Sequence, residues 1–343
     1  MEIPSTPHPV CHGGDIDAAG RRFGEPQGGW LDLSTGISPH PYPLPPLAPE
    51  AWRKLPQPDA EAALIGAARK AYGAATEARI VISPGTQAAI QALPRLGRVG
   101  RNAVKVAVLG PTYGEHAHVW RAAGHDVDEV ASLDKAAKAD VTVIVNPNNP
   151  DGRVIDGGTL RALHGSIAKR GGWLVIDEAF ADVDPDVSIA AWAGRPGLVI
   201  LRSFGKFFGL AGLRLGFVLT DNAIGDDFQA SFGPWAVSGP ALAIGGKALA
   251  DGIWCQTIRT RLADDARRLD ALLAGAGVSV VGGTSLFRLV EVGNAARLRD
   301  GLARRGILVR IFDDQPTLAR IGLPGDKAAF ERLADALASL IRA

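Results

Sequence analysis

What this chain can fold into is constrained most tightly by six short runs that are apolar at almost every position. They are ARIVIS (78–83), AVKVAVLG (103–110), VTVIVN (141–146), GWLVID (172–177), GLVILRSF (197–204) and RLGFVLT (214–220). A strand with one face in water alternates apolar and polar residues, so runs without alternation belong to strands covered on both faces. Between them lie stretches with helical apolar spacing: AEAALIGAARKAYG (60–73), one from near Thr86, one over 116–123 and one over 159–169. Strand and helix in alternation predict an α/β fold, with a mostly parallel sheet between layers of helices.

From about Pro240 the texture changes. A long helical region over 241–274 leads into VSVV, SLFRLVEV, a helix over 295–305, ILVRI, LARIGLP and a last helix over 327–341. This predicts a smaller α+β C-terminal domain over 240–343, beside a large domain over 51–239. Residues 1–50 are rich in proline and glycine, above all SPHPYPLPPLAP (38–49). They predict an extended arm that joins the small domain and the substrate site, since proline keeps its neighbours out of helical geometry.

Composition narrows the function. The chain has 343 residues, 47% of them hydrophobic, enough to bury substantial cores. A net charge of +1 without a basic block points away from nucleic acid and anionic membranes. No apolar run is long enough to span a bilayer, and MEIPSTPHPVCHGGD lacks the basic-then-apolar order of a secretory signal. Cys11 and Cys255 lie far apart and outside any metal-ligand spacing. They read as free thiols of a cytoplasmic protein without a metal site, with a disulfide left open.

In an open α/β sheet the ligand lies beyond the carboxyl ends of the strands. SPGTQAAI (83–90) presents Gly85, Thr86 and Gln87 at a helix N-terminus, where free N–H groups and the helix dipole receive phosphate. VTVIVNPNNPDG turns through Asn149, Pro150 and Gly152; GWLVIDEAF ends at Asp177 and Glu178. LVILRSFGK carries Ser203 and Lys206, and Arg214 follows eight residues after the lysine. Singly, each has a plainer reading. NPNNPDG is a turn, Asp177 a helix cap, SPGTQ a helix start that binds nothing, and Lys206 a side chain reaching for water. Together they set an anion site, a carboxylate, an amide and a lysine among apolar neighbours at the strand ends.

That set, in the order G-T-Q, N-P-D-G, D-E-A-F, S-x-x-K and then arginine, resembles the fold-type I pyridoxal-phosphate enzymes of the class I and II aminotransferase family, over about 12–325. The resemblance implies pyridoxal 5'-phosphate as cofactor and a homodimer. It implies that Lys206 bonds the cofactor's aldehyde, Asp177 pairs with the ring nitrogen and Asn149 hydrogen-bonds the phenolic oxygen. Tyr113, in GPTYGEH, matches the aromatic that stacks on the ring, with Phe180 beside it. Gly85, Thr86, Gln87, Ser203 and Arg214 match the residues that hold the phosphate.

Finer segments are similar to the threonine-phosphate decarboxylase branch, which makes aminopropanol phosphate for the cobalamin nucleotide loop. These are HGGD (12–15), LDLSTGISPHPYP (31–43), LAGLRLGF (210–217), GPWAVSGPAL (233–242) and DEAF (177–180). The related histidinol-phosphate aminotransferases carry tyrosine where this chain has Phe180. The resemblance implies a phosphorylated amino acid as substrate. Arg320 would grip its α-carboxylate, with Arg310 a second arginine nearby. His12 and the S-T-G-I-S segment, with Gly36 and Ser38, would lie by its phosphate; read alone, His12 is an ordinary residue of the arm. Three positions depart from the pattern: Ser38 and Ser238 stand where asparagine is usual, and Gln57 stands nearest a usual tyrosine. Alternatives are a histidinol-phosphate-type aminotransferase, a decarboxylase of O-phosphoserine, or a non-catalytic protein of the same fold.

Overall fold

The structure is a computed structural model, in which residues 12–97, 99–100 and 102–341 are described. Cys11 lies outside them, and Cys255 is a buried free thiol. The strands are β1 (Leu31–Leu33), β2 (Arg79–Ser83), β3 (Lys105–Leu109), β4 (Asp126–Val130), β5 (Val141–Val145), β6 (Trp173–Asp177), β7 (Leu198–Ser203), β8 (Gly216–Thr220), β9 (Ser279–Thr284), β10 (Phe287–Glu291), β11 (Ile307–Phe312) and β12 (Gln315–Gly322). A seven-stranded sheet has the order β2-β8-β7-β6-β5-β3-β4, and a five-stranded sheet the order β1-β11-β12-β10-β9.

In the larger sheet β4, β3, β5, β6 and β7 run parallel, while β8 is reversed against both β7 and β2. Every residue of β5, β6, β7 and β8 is buried, as continuous apolar runs require. Alternate side chains serve opposite faces: Leu174 and Ile176 pack with Leu160, Leu163 and Ile167, whereas Trp173 and Val175 pack with Ile90 and Trp120. The edge strand β4, DVDEV, was not among the expected strands. Its acidic residues face water, and charge on an edge discourages further pairing.

Two expectations are corrected. The helical region over 241–274 is two helices, Gly239–Ala250 and Gly252–Gly275. Asp251 breaks them by capping the second, its Oδ1 accepting from the Trp254 N–H at 3.0 Å. The first fifty residues are not extended throughout, since Ile16–Phe23 is a helix capped by Asp15. β1 then pairs in parallel with β11, matching Leu31 to Ile307, so the N-terminal segment becomes an edge of the C-terminal sheet. The proline-rich part remains without regular structure as far as the short helix Glu50–Arg53. It backs the lysine loop: the Ser38 N–H donates to the Lys206 carbonyl at 2.8 Å, and the Tyr42 N–H to the Phe208 carbonyl at 2.9 Å.

Candidate active site

Parallel pairing sends the carboxyl ends of β2, β3, β5, β6 and β7 to one edge of the sheet. Because β8 is reversed, its beginning lies at that same edge, with Gly216 opposite both Ser83 and Ser203. Arg214, two residues before β8, is thereby delivered beside Gly85. Both take positive φ, 83° at Gly85 and 54° at Arg214. A Cβ on Gly85 would stand 2.5 Å from Arg214 Nη2, so only glycine lets the guanidinium approach the start of the helix Thr86–Ala92.

The cleft at this edge has a volume of about 390 Å³. It gathers Lys206, Asp177, Asn149, Thr86, Gln87, Tyr113, Phe180, Ser203, Arg214, Arg320 and His12, residues spread over most of the chain. Gly85 stands just behind, against Arg214. Three more expected residues also lie off its wall. Gly36 is wedged against Phe180 and Phe287, each 2.9 Å from where a Cβ would be. Ser38 is buried, its hydroxyl bonded to the backbone of His40. Arg310 lines an adjoining cavity of about 330 Å³ that shares His12, Tyr113, Asn149 and Arg320 with the first.

Electrostatics give each group a defined state. Burial and the nearby Arg320 hold the Lys206 amine down to about 8; Asp177 opposes the shift and Arg214 adds to it. An amine so tuned is partly neutral near neutral pH and can attack a carbonyl. Asp177 is buried at the end of β6, its Oδ1 accepting from the Ala179 N–H at 3.0 Å and its Oδ2 bonded to His116 Nε2 at 2.9 Å. Arg320 is buried as well, donating to Asn149 Oδ1 at 2.6 Å and to the Ser34 carbonyl at 2.7 Å. With its amide oxygen taken, Asn149 is left with Nδ2 to donate. Burial, then Arg310, lowers the Arg320 guanidinium to about 10, against Asp32 and Tyr113. Burial raises the Tyr113 phenol, and Glu115 and Asp177 add to it. That hydroxyl donates to Gln87 Oε1 at 3.1 Å.

Two ionisable neighbours escaped sequence reasoning. His116 is wholly buried, holds Asp177, and has no partner at Nδ1; Glu115 is buried beside it and bonds His12 and Gln87. Their signal was the EH pair two residues after Tyr113, an acid and an imidazole where a helix starts.

The donor set fits pyridoxal phosphate part for part. A tuned lysine would meet the aldehyde, a buried carboxylate a ring nitrogen, the Asn149 amide a phenolic oxygen, and the glycine-cradled Arg214 a phosphate. No three His, Cys, Asp or Glu side chains cluster as metal ligands among the described residues.

The chain belongs to the aminotransferase class I and II family, whose profile matches residues 47–337. Within that class it is 47% identical over 329 residues to a threonine-phosphate decarboxylase of Pseudomonas aeruginosa, covering 95% of this chain and 96% of the relative. A threonine-phosphate decarboxylase of Sinorhizobium sp. is 46% identical over 334 residues, covering 97% and 98%. A histidinol-phosphate aminotransferase from Sinorhizobium meliloti, solved in complex with pyridoxal-5'-phosphate, matches in fold with a TM-score of 0.78 at 21% identity. That match covers 99% of this chain and 98% of the other.

Proposed function

We propose that this protein is a pyridoxal-phosphate-dependent lyase that decarboxylates L-threonine O-3-phosphate to 1-aminopropan-2-ol phosphate, a building block of the cobalamin nucleotide loop. The observation that carries the reading is one cleft holding a tuned lysine, a buried aspartate and two arginines, in a chain nearly half identical to two threonine-phosphate decarboxylases over almost its whole length. The cofactor supplies an aldehyde for an amine and a ring that accepts the electron pair left when a bond at Cα breaks.

The chain's residues do the rest. Asp177, fixed by His116 and the Ala179 N–H, would accept from the ring nitrogen of the bound cofactor. Arg214, Ser203 and the backbone at Gly85, Thr86 and Gln87 would hold the cofactor's phosphate, Tyr113 would stand against the ring and Asn149 would donate to its phenolic oxygen. Arg320 orients the substrate's α-carboxylate, and orientation selects which Cα bond breaks. The bond from Cα to the carboxylate carbon cleaves, carbon dioxide leaves, and the electron pair remaining at Cα takes a proton from the Lys206 ammonium. Phe180 keeps the lysine's surroundings apolar, its ring centre 5.8 Å from Nζ. His12, Arg310 and the segment through Gly36 and Ser38 serve the substrate's phosphate end.

A cytoplasmic homodimer is part of this proposal. What supports the dimer is a number of large apolar side chains left exposed, among them Leu44, Trp52, Leu55 and Trp235. Among the described residues, no helix is long and apolar enough to cross a membrane. The division into arm, large and small domains at 50 and 239 belongs to the proposal too.

The test is to mix enzyme, cofactor and threonine phosphate without any keto acid. Sustained release of carbon dioxide over many turnovers is expected. Arrest after a single half-turnover would identify an aminotransferase instead. Lys206→Ala is expected to lose the visible absorption of the loaded enzyme and its trapping by borohydride.

A further inference from the structure

Glu115 opens the helix Glu115–Ala122, is only 7% exposed and lines neither cavity. A carboxylate out of water is costly unless its oxygens are satisfied, and here both are. Oε1 is bonded to His12 Nε2 at 2.9 Å, and Oε2 accepts from Gln87 Nε2 at 2.7 Å and from Gln91 Nε2 at 3.3 Å. Gln87 passes the connection on, its Oε1 accepting from the Tyr113 hydroxyl. One hidden carboxylate therefore holds cleft-lining side chains from three separate places: the N-terminal segment, the helix after β2 and the loop after β3.

The direction of these bonds matters. With His12 Nε2 committed to Glu115, the other ring nitrogen, Nδ1, is left for a ligand. The His12 side chain is 47% exposed, so its ring needs steering from behind. Its backbone is already docked. The Gly14 N–H donates to Ser34 Oγ at 2.7 Å, and a Cβ on Gly13 would stand 2.4 Å from the Ser34 carbonyl oxygen.

We propose that Glu115 is a positioning residue that aims His12 from the N-terminal segment at the substrate's phosphate, and so sets specificity for phosphorylated over free amino acids. The proposal rests on the functional reading above.

The test uses the cofactor-saturated enzyme with inorganic phosphate as probe in calorimetry, beside KM and kcat for threonine phosphate. Glu115→Gln keeps the shape, removes the charge and turns one acceptor into a donor facing Gln87. Losing one hydrogen bond to a charged group weakens binding by about tenfold or more. The expected result is a roughly tenfold loss of phosphate affinity and an equal rise in KM, with kcat changed less than about threefold. His12→Asn is expected to do the same, and the double variant to be no worse than His12→Asn alone, because Glu115 acts through His12. Inhibition by L-threonine, which lacks the phosphate, is expected to be unchanged in all of them. Phosphate affinity left intact by Glu115→Gln, losses that multiply in the double variant, or a wild type that binds no phosphate would each overturn the proposal. If Glu115→Gln does not fold, Glu115→Asp decides, since it keeps the charge but draws it back from His12. Absence of carbon dioxide from the wild type would instead overturn the functional reading, with the phosphate titrations still judging Glu115.

Discussion

Lys206 carries its amine into a buried place, and the fold is less stable for it. Burial and Arg320 bring its proton affinity from the ordinary 10.5 down to about 8, against the pull of Asp177. In protein freed of cofactor the amine is therefore still protonated at pH 7, in surroundings that disfavour the charge. At about 1.4 kcal/mol for each tenfold change, the cost is about 3 kcal/mol, an upper bound because the cleft opens to solvent. Between those two values the unfolded chain binds more protons than the folded one, so stability rises with pH across that window and levels off outside it. Lys206→Met keeps the volume and removes the charge. In urea titrations of the cofactor-free protein, the variant is expected to exceed wild type by up to about 3 kcal/mol at pH 7, the gap closing as the pH approaches 10.5. A gap independent of pH, or a variant less stable than wild type at pH 7, would refute the claim that the amine is held below its ordinary value.

Other residues yield further predictions. Arg202 is buried between Glu178, at 2.7 Å, and Asp182, and lies over the Tyr72 ring. Against the cost of burial, Asp182 and Glu178 raise its proton affinity further. Arg202→Met strands two buried carboxylates and is expected to lower stability by about 3–5 kcal/mol, read from the urea midpoint. Gly85→Ala forces a side chain into positive φ and onto Arg214. It is expected to weaken cofactor binding by about tenfold, measured by fluorescence titration. His116→Phe leaves Asp177 Oδ2 without its partner, and kcat is expected to fall by about tenfold while circular dichroism stays unchanged.

The larger sheet was legible because its strands are apolar at every position, which water on either face would forbid. β4 was not, since DVDEV has an edge strand's composition and nothing in it announces pairing. The division of 241–274 into two helices turned on Asp251, a capping residue inside an apolar period that continues on both sides. In the cleft, Lys206, Asp177 and Asn149 stood out as distinct chemistry at or just after strand ends, and Arg214 by its spacing after the lysine in the family resemblance. Glu115 and His116 stand just after Tyr113, and their spacing carries no signal of burial. A polar pair at a helix start reads as a solvated end until the neighbours that bury it are known.

The sequence by itself determined the α/β layering, the strands that meet at one edge, and the chemical inventory at their ends, since periodicity and residue type are local properties. Only the tertiary structure decided how that inventory is wired. The reversal of β8 brings Arg214 to Gly85, β1 joins the C-terminal sheet, Asn149 spends its oxygen on Arg320, and Glu115 reaches across to His12. Such pairings depend on which distant segments are driven together as apolar surface leaves water, and on which buried polar atoms must then find partners. Neither is written in the spacing of residues along the chain.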